Sequence, residues 1–330
     1  MTAPRRNALT PDALQLMDTI ARSGSFAAAA RALGRVPSAL TYSVRQLEDA
    51  LDVLLFDRSS RQARLTAAGE ELLTEGRRLL AEMDAVANRV RRVATGWESA
   101  LTVAADGVIS RLTLFELVEG FYAHRDASGQ GPATRLRLRS DIMAGLWEAL
   151  ISGQADLAIG VMMNTPAQSG IEIRLMGEVD FIFAVAPHHP LAAASEPLSD
   201  AQVMAHRAVA VADSAQRLSP VTVNLLPGQD VLTVPTMAAK TEALLRCLGC
   251  GYVPEPLVRE HLRTGRLVAK AVQRTRLPAQ FGYAWRSAAT PQPRRAPQGL
   301  ALQWWLGQLD SPTTRQALLE QHLGLPVPLE

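Results

Sequence analysis

Apolar residues recur with the period of an α-helix in three short stretches of the first fifty residues. Thr10 can cap the first helix, which has proline in its first turn and ends at Gly24. Ser25 can cap the second helix, which ends at Gly34. The third helix is predicted over 37–50, and its inward stripe consists of Leu40, Val44, Leu47 and Leu51. The pattern therefore predicts a compact helical head.

A short hairpin and one long helix follow this head. Between Leu54 and Leu65, two short extended stretches flank Ser-Ser, which predicts a hairpin over 57–65. A helical run of about thirty residues then has apolar positions at alternating steps of four and three, as in a coiled coil. These positions are Leu72, Gly76, Leu79, Met83, Val86, Val90 and Val93. The pattern predicts a partner helix, and the alternative is one amphipathic helix packed on its own domain.

From about Leu101 onward, strand patterns alternate with helical ones, which predicts a parallel α/β sheet. The strands read LTVAAD, RLRLRS, ADLAIG, DFIFAVAP and RAVAVAD. In the second of them, arginine alternates with leucine, whereas buried parallel strands are apolar on both faces. We therefore expect this strand at a sheet edge or a subunit interface. Residues 311–330, rich in proline and leucine, indicate an appended tail.

Composition narrows the class of protein. The formal charge of +2 on 330 residues excludes a polycation, so any DNA-binding surface must be local. Two cysteines exclude a disulfide framework and suit a reducing cytosol. The N-terminal segment lacks the apolar stretch of a secretory signal, and no apolar run approaches the roughly 20 residues that span a bilayer. We expect a soluble, cytoplasmic protein that does not bind a membrane.

The helical head has the layout of a helix-turn-helix, whose second helix enters the major groove of DNA. Opposite its apolar stripe, that helix carries groups that can bond base edges or phosphates: Pro37, Ser38, Thr41, Tyr42 and Arg45. The hairpin adds Arg58, Arg61 and Arg64, of which two could follow the neighbouring DNA backbone. An ordinary three-helix cap with a solvated polar face is the alternative.

The stretches SGSFAAAARAL, PSALTYSVRQLE, LLFDR and LTAAGE stand in this order between Leu14 and Gly69. Together they resemble the DNA-binding domain of LysR-type transcriptional regulators. The resemblance adds Ser25 to the DNA-binding candidates and implies a homodimer, with a dimer of dimers as the family's assembly. Pro37 stands where the family often has glutamine, and Thr41 where it usually has serine. The DNA sequence that this helix reads is therefore open.

The resemblance also implies a domain order. A winged helix-turn-helix over 1–66 is followed by a linker and dimerisation helix over 67–97. A two-lobed α/β effector domain over 98–310, similar to periplasmic binding proteins, precedes the tail over 311–330. The effector implied is a small organic molecule, with aromatic acids and other carboxylates as the family's common case. Whether the protein activates or represses stays open.

Effector candidates follow from the position of ligand sites in α/β lobes, outside the carboxyl ends of strands and at helix N-termini. They are Asp106, Ser110, Ser140, Asp141, Met143, Gly160, Thr236 and Met237. Asp106 and Asp141 would oppose an anion unless they cap helices or pair with an amine. The alternative for each polar candidate is that it only caps a helix.

Other chemistry is weaker. Cys247 and Cys250 follow a helix, where the dipole disfavours a thiolate, so we expect a buried, inert pair rather than a redox sensor. His188-His189 is expected in a loop, and Trp304-Trp305 in a core or an interface. We predict no catalytic residue, metal site or cofactor. Two rivals stay open: a small-molecule binding protein whose head binds other proteins, and an enzyme with an α/β catalytic domain.

Overall fold

The structure is a computed structural model that describes residues 8–57, 63–125, 129, 131–163, 170–274, 278–286 and 298–322. The chain folds as two units, Met1–Val90 and Arg91–Glu330. The described part does not include Arg58, Arg61 or the side chain of Val93, all of which were singled out above. It also does not include the segment 323–330.

The helices of the N-terminal unit match the predicted ones. In chain order they are α1 (Pro11–Ser23), α2 (Phe26–Leu33), α3 (Pro37–Leu51) and α4 (Ala67–Thr95). The hydroxyl of Thr10 accepts a hydrogen bond from the N–H of Ala13 at 3.2 Å, and that of Ser25 accepts one from Ala28 at 3.2 Å. Gly24 ends α1 in the left-handed conformation, with φ 67°. The predicted caps are confirmed.

The core of the N-terminal unit lies between α1, α2 and α3. Leu40, Val44 and Leu47 are buried as the stripe predicted, and Ala29 and Ala30 are buried against them. Small side chains at these positions let the helix backbones approach closely. The hairpin begins with an antiparallel bridge between Phe56 and Leu65, as predicted.

The second unit contains one large mixed sheet. Its described strands are β1 (Ala100–Ala105), β2 (Arg135–Ser140), β3 (Leu157–Met162), β4 (Ile171–Val179) and β10 (Ala279–Arg286), in the order β2-β1-β3-β10-β4. β1 is parallel to β2 and β3, whereas β10 is antiparallel to β3 and β4. The expectation of a parallel sheet is therefore confirmed for β1, β2 and β3 and wrong for β10. The arginine-rich β2 lies at the edge, as predicted.

A second lobe forms between β4 and β10 along the chain. Its strands are β5 (Phe181–Val185), β6 (Ala208–Val211), β7 (Val231–Val234), β8 (Gly251–Pro254) and β9 (Val268–Lys270). Its helices are α7 (Asp200–Met204), α8 (Met237–Leu245) and α9 (Glu255–Arg263). The chain leaves the first lobe after β4 and returns with β10. This returning strand is antiparallel to its neighbours, which is the physical reason that the large sheet is mixed.

Helices of the first lobe cover both faces of its sheet. They are α5 (Arg111–Ala123), α6 (Ala144–Ile151), α10 (Leu300–Leu309) and α11 (Pro312–Glu320). Trp305 of α10 is fully buried, so the paired tryptophans belong to the core as predicted. Trp97, which ends the predicted linker, is also buried in this core.

The interpretation of 311–330 as an appended tail is wrong for Pro312–Glu320. This segment forms α11, whose Leu318 and Leu319 are buried in the core of the first lobe. The N–H of Ser110 donates to the carbonyl of Leu318 at 2.8 Å. The leucines that suggested a tail are therefore core residues, because α11 covers the sheet beside α5.

Candidate functional site

The predicted DNA-reading face of α3 is open to solvent. Pro37, Ser38, Tyr42 and Arg45 are exposed, and Thr41 is half-buried. The Thr41 hydroxyl donates to the carbonyl of Pro37 at 3.0 Å, which leaves its oxygen able to accept a further hydrogen bond. The face thus presents hydroxyl groups, a phenol and a guanidinium, all of which can bond base edges or phosphates.

Two further candidates flank this helix. Ser25 is half-buried and caps α2, so its oxygen already serves the helix N-terminus. Arg64 is exposed, and its carbonyl accepts from the N–H of Asp57 at 2.8 Å, closing the base of the hairpin. Arg61 lies outside the described residues, so its predicted role stays a prediction.

A buried carboxylate that the sequence analysis missed fixes the hairpin to α3. Glu48 is only 4% exposed, and its Oε1 accepts from the N–H of Leu55 at 2.8 Å and of Phe56 at 3.3 Å. The signal was available, because position 48 follows Val44 by four residues and so falls on the buried face of α3. A charged residue on such a face indicates a specific partner.

The apolar stripe of α4 divides into two parts. Leu72 packs against the core of its own unit, and Gly76 lies so close to Leu14 that an added Cβ would be 2.9 Å from the Leu14 Cδ2. The side chains that continue the stripe are exposed, namely Leu79 at 42%, Met83 at 50%, Val86 at 45% and Val90 at 66%. The alternative of a helix packed wholly on its own domain is therefore wrong for this second part.

The effector candidates of the first lobe meet where β1 and β3 end. The Asp106 carboxylate accepts from the N–H of Val108 at 2.9 Å and of Met143 at 3.3 Å. Gly160, with φ 91°, lies against the same residue, and a Cβ built on it would be 2.9 Å from the Asp106 Cβ. The structure thus brings Asp106, Met143 and Gly160 together, and their role in binding an effector stays a prediction.

The second lobe brings the start of α8 to the same place, hereafter called the cleft. The Thr236 hydroxyl caps α8 by accepting from the N–H of Ala239 at 3.1 Å. Met237 lies opposite Gly107, and a Cβ built on that glycine would be 3.6 Å from the Met237 Cβ. The two lobes therefore come into contact beside Asp106.

The structure corrects the prediction for Ser110. Its side chain is fully buried, accepts from the N–H of Thr113 at 3.1 Å and donates to the carbonyl of Gln321. The hydroxyl therefore caps α5 and anchors the end of α11. Such a side chain is not accessible to an effector.

Asp141 is corrected for a similar reason. It is buried and accepts from the Arg139 guanidinium at 2.8 Å, so its charge is compensated within the edge of the sheet. Ser140, the last residue of β2, is exposed beside this ion pair. Its role as an effector contact stays a prediction.

Asp213 and Ser214 are cleft residues that the sequence analysis missed. They follow β6, yet they bond the residues that begin α6 in the other lobe. The same rule that selected Asp106, a polar residue after a strand, would have selected them, because RAVAVAD ends at Asp213.

Burial raises the pKa of Asp106, the N–H donors of Val108 and Met143 lower it, and the nearby charge of Asp213 raises it; together these effects bring the pKa to about 6. Between about pH 4 and pH 6, the folded protein thus holds a proton that the unfolded chain has lost. Stability falls as pH rises through this window and stays reduced above it.

We therefore expect that Asp106→Asn and Asp106→Ala remove one pH-dependent component, of at most about 3 kcal/mol, from the free energy of unfolding. Urea unfolding of the full chain between pH 4 and pH 7.5 measures it. The free energies of unfolding of the two variants should differ by an amount that does not change with pH, because Asn keeps one acceptor and Ala keeps none. A constant difference between wild type and both variants across this range would contradict the assignment.

The expected buried cysteine pair is confirmed only in part, because Cys247 is half-buried. Cys250 is buried, which raises its pKa to about 11, and its thiol donates to the carbonyl of Arg207 at 3.4 Å. His189 is buried beside His206, and its Nδ1 accepts from the N–H of Leu191 at 3.1 Å. Within the described ranges, no three His, Cys, Asp or Glu side chains form a group suited to a metal ion. No helix in the same part of the chain is long and apolar enough to cross a membrane.

Comparison with known proteins covers both units. Residues 11–70 match the family described as bacterial regulatory helix-turn-helix protein, lysR family, and residues 94–310 match the LysR substrate binding domain. The HTH-type transcriptional regulator YeeY of Escherichia coli K12 is 34% identical over 298 residues, covering 90% of this chain and 92% of that protein. The probable regulator YhaJ of the same strain is 39% identical over 263 residues, covering 80% and 86%.

Solved structures agree with the fold. CbnR, a LysR family transcriptional regulator, superposes with a TM-score of 0.56 at 20% identity, covering 91% of this chain and 98% of its own. Full-length CbnR complexed with target DNA gives a TM-score of 0.54 at 20% identity, covering 91% and 99%. At this identity the likeness shows the arrangement of elements and not the ligand.

Proposed function

Because the chain belongs to the LysR family of DNA-binding transcriptional regulators, we propose that α3 reads its operator from the major groove. The observation that carries this proposal is the exposed polar face of α3 beside the hairpin that Glu48 anchors. The hairpin is the wing, and Arg64 at its base contacts the DNA backbone. The second unit is the effector-binding domain of the regulator.

Arg45 is the strongest candidate for reading a base. A guanidinium can donate two hydrogen bonds to the O6 and N7 of guanine, or bind a phosphate as an ion pair. Thr41 lies one helical turn closer to the N-terminus of α3 than Arg45 does, and Ser38 lies two turns closer. Their hydroxyls suit base edges and phosphates. Ser25 contributes from the N-terminus of α2, next to the DNA backbone.

We expect Arg45→Ala and Thr41→Ala each to cost roughly 1–3 kcal/mol in specific binding. The measurement is a titration with duplex from upstream of the gene and with a shuffled duplex of equal composition, at two salt concentrations. Arg78→Ala is the control, because it removes an exposed arginine of α4 that is paired with Glu75. Unchanged discrimination in both variants would contradict the assignment of the recognition helix.

The same titration separates the rival functions. A binding protein with a helical interaction head would bind both duplexes equally and with steep salt dependence. An operator elsewhere in the genome would give the same result, so genomic fragments would then be screened. An enzyme would consume the molecule bound in its second unit, whereas the proposed regulator binds its effector without turnover. Acting on bacterial DNA requires the protein to work in the cytoplasm.

The effector is a small organic molecule held between the lobes, near Asp106, Met143, Gly160, Thr236 and Met237. The protein acts as a homodimer through the exposed part of the α4 stripe, and two dimers assemble on DNA. An effector shifts the arrangement of subunits only as far as it binds one arrangement better than another. The contact between Gly107 and Met237 supports the cleft as the responsive element.

A further inference from the structure

One carboxylate joins the two lobes at the start of α6. Asp213, after β6 in the second lobe, accepts from the N–H of Ala144 at 3.1 Å and of Gly145 at 3.2 Å in the first lobe. It also accepts from its own segment, from Ala215 at 2.8 Å and Val221 at 2.8 Å. A single side chain therefore fixes the segment 212–221, hereafter the strap, to the first turn of α6.

Ser214 fits the strap closely against the same turn. Its hydroxyl accepts from the N–H of Ile142 at 2.8 Å and donates to the carbonyl of that residue at 3.3 Å. Gly145 has no room for a side chain here, since an added Cβ would be 1.9 Å from the Ser214 Oγ. The glycine thus allows the strap to lie directly on the helix.

A second carboxylate makes the reciprocal contact. Glu148 of α6 accepts from three consecutive N–H groups of the strap, those of Gln216 and Arg217 at 2.9 Å and that of Leu218 at 3.3 Å. Although burial acts to raise the pKa of Glu148, these donors together with the charge of Arg217 lower it. The ionised carboxylate is therefore the form that holds the strap.

These contacts occupy backbone donors that would recognise an anionic ligand. The N–H of Met143 donates to Asp106, and the next two N–H groups donate to Asp213. The N-terminus of a helix favours negative charge through these N–H donors and its dipole. Consecutive donors are thus taken by carboxylates of the protein itself, one from each lobe.

We propose that the strap is a built-in occupant of the effector cleft: Asp213 closes the two lobes on α6, and an effector carboxylate acts by displacing it. The inference rests on the proposed function only in that an effector enters this cleft. When the effector carboxylate displaces Asp213, it accepts hydrogen bonds from the same N–H groups. These groups therefore exchange one acceptor for another and are not left unpaired.

One feature favours displacement over a permanent structural contact. The strap is irregular and largely exposed, with Leu218 at 37% and Val221 at 39% exposure, so little apolar burial holds it. A neutral or amine-bearing effector would leave Asp213 in place.

Hydrogen exchange of the full chain tests the contact. In Asp213→Asn and Asp213→Ala, we expect peptides covering 142–146 and 213–222 to exchange at least about tenfold faster than in wild type. Glu148→Gln is the matched control, which should accelerate exchange at 216–218 and leave the first turn of α6 protected. Wild-type protection at 142–146 in both Asp213 variants would overturn the proposal.

Added carboxylate distinguishes an occupant from a fixed clamp. In Asp213→Ala, acetate replacing chloride at constant ionic strength should restore protection to 142–146, while wild type and Glu148→Gln should not respond. Lost protection without acetate rescue would show that Asp213 is only a structural clamp and would overturn the proposal. Neither measurement uses DNA, so failure of both the operator titration and the screen of genomic fragments would reject the proposed function and leave this result standing.

Discussion

Val86→Asp is expected to convert the proposed dimer to a monomer and to weaken operator binding by about a hundredfold to ten-thousandfold. Val86 is 45% exposed on the part of the α4 stripe that does not pack on its own unit. Fully burying a valine side chain contributes about 1.5–3 kcal/mol, and the dimer would bury one in each copy. The substitution replaces both with carboxylates in an apolar seam, where an unpaired charge is strongly disfavoured.

The loss of DNA affinity follows from geometry. Two recognition helices held in one dimer bind two half-sites at high effective concentration, whereas a monomer binds one half-site. Light scattering after size exclusion measures the mass, and the operator titration measures the affinity. Val86→Leu should remain dimeric because it keeps the seam apolar. Arg78→Asp, which adds negative charge at an exposed position off the stripe, should also remain dimeric, and a dimeric Val86→Asp would contradict the assignment of the seam.

Glu48→Ala is expected to destabilise the N-terminal unit by about 2–5 kcal/mol, because it leaves two buried N–H groups without their acceptor. Those groups belong to Leu55 and Phe56, where the chain enters the hairpin. For a domain of 60–100 residues, each kcal/mol lowers the melting temperature by about 4–8 °C. We therefore expect the melting temperature of this unit to fall by about 10 °C or more, with loss of specific DNA binding.

Matched variants separate the hydrogen bonds from the charge. Both N–H groups donate to the same oxygen, Oε1, so the amide oxygen of Glu48→Gln can keep both bonds and most of the stability. Asp49→Ala changes the exposed neighbour on α3 and should leave the melting temperature close to that of wild type. Thermal unfolding followed by circular dichroism measures all three. A melting temperature for Glu48→Ala within about 2 °C of wild type would disprove the anchoring role.

The sequence by itself determined the features whose cause lies within a few residues. Thr10 and Ser25 cap the helices that they precede, and Gly24 ends α1, because capping depends on adjacent residues. The apolar stripes of α1, α3 and α4 follow from the helical period alone. The polar alternation of β2 placed it at the edge of its sheet, because a strand inside a parallel sheet would bury both faces.

Tertiary structure decided which partner each polar group meets and how distant strands pair. β10 pairs antiparallel with β3 and β4 more than a hundred residues earlier, and α11 covers the same lobe, so neither neighbour appears in the local pattern. Ser110, Asp141 and Asp213 each follow a strand or precede a helix, and by sequence they are equivalent ligand candidates. Folding gives Ser110 to a carbonyl of the C-terminal segment and Asp213 to the other lobe, whereas Asp141 pairs with Arg139 two residues away. A hydrogen bond needs its partner within about 3 Å, and only the folded chain brings donors and acceptors from remote segments to that distance.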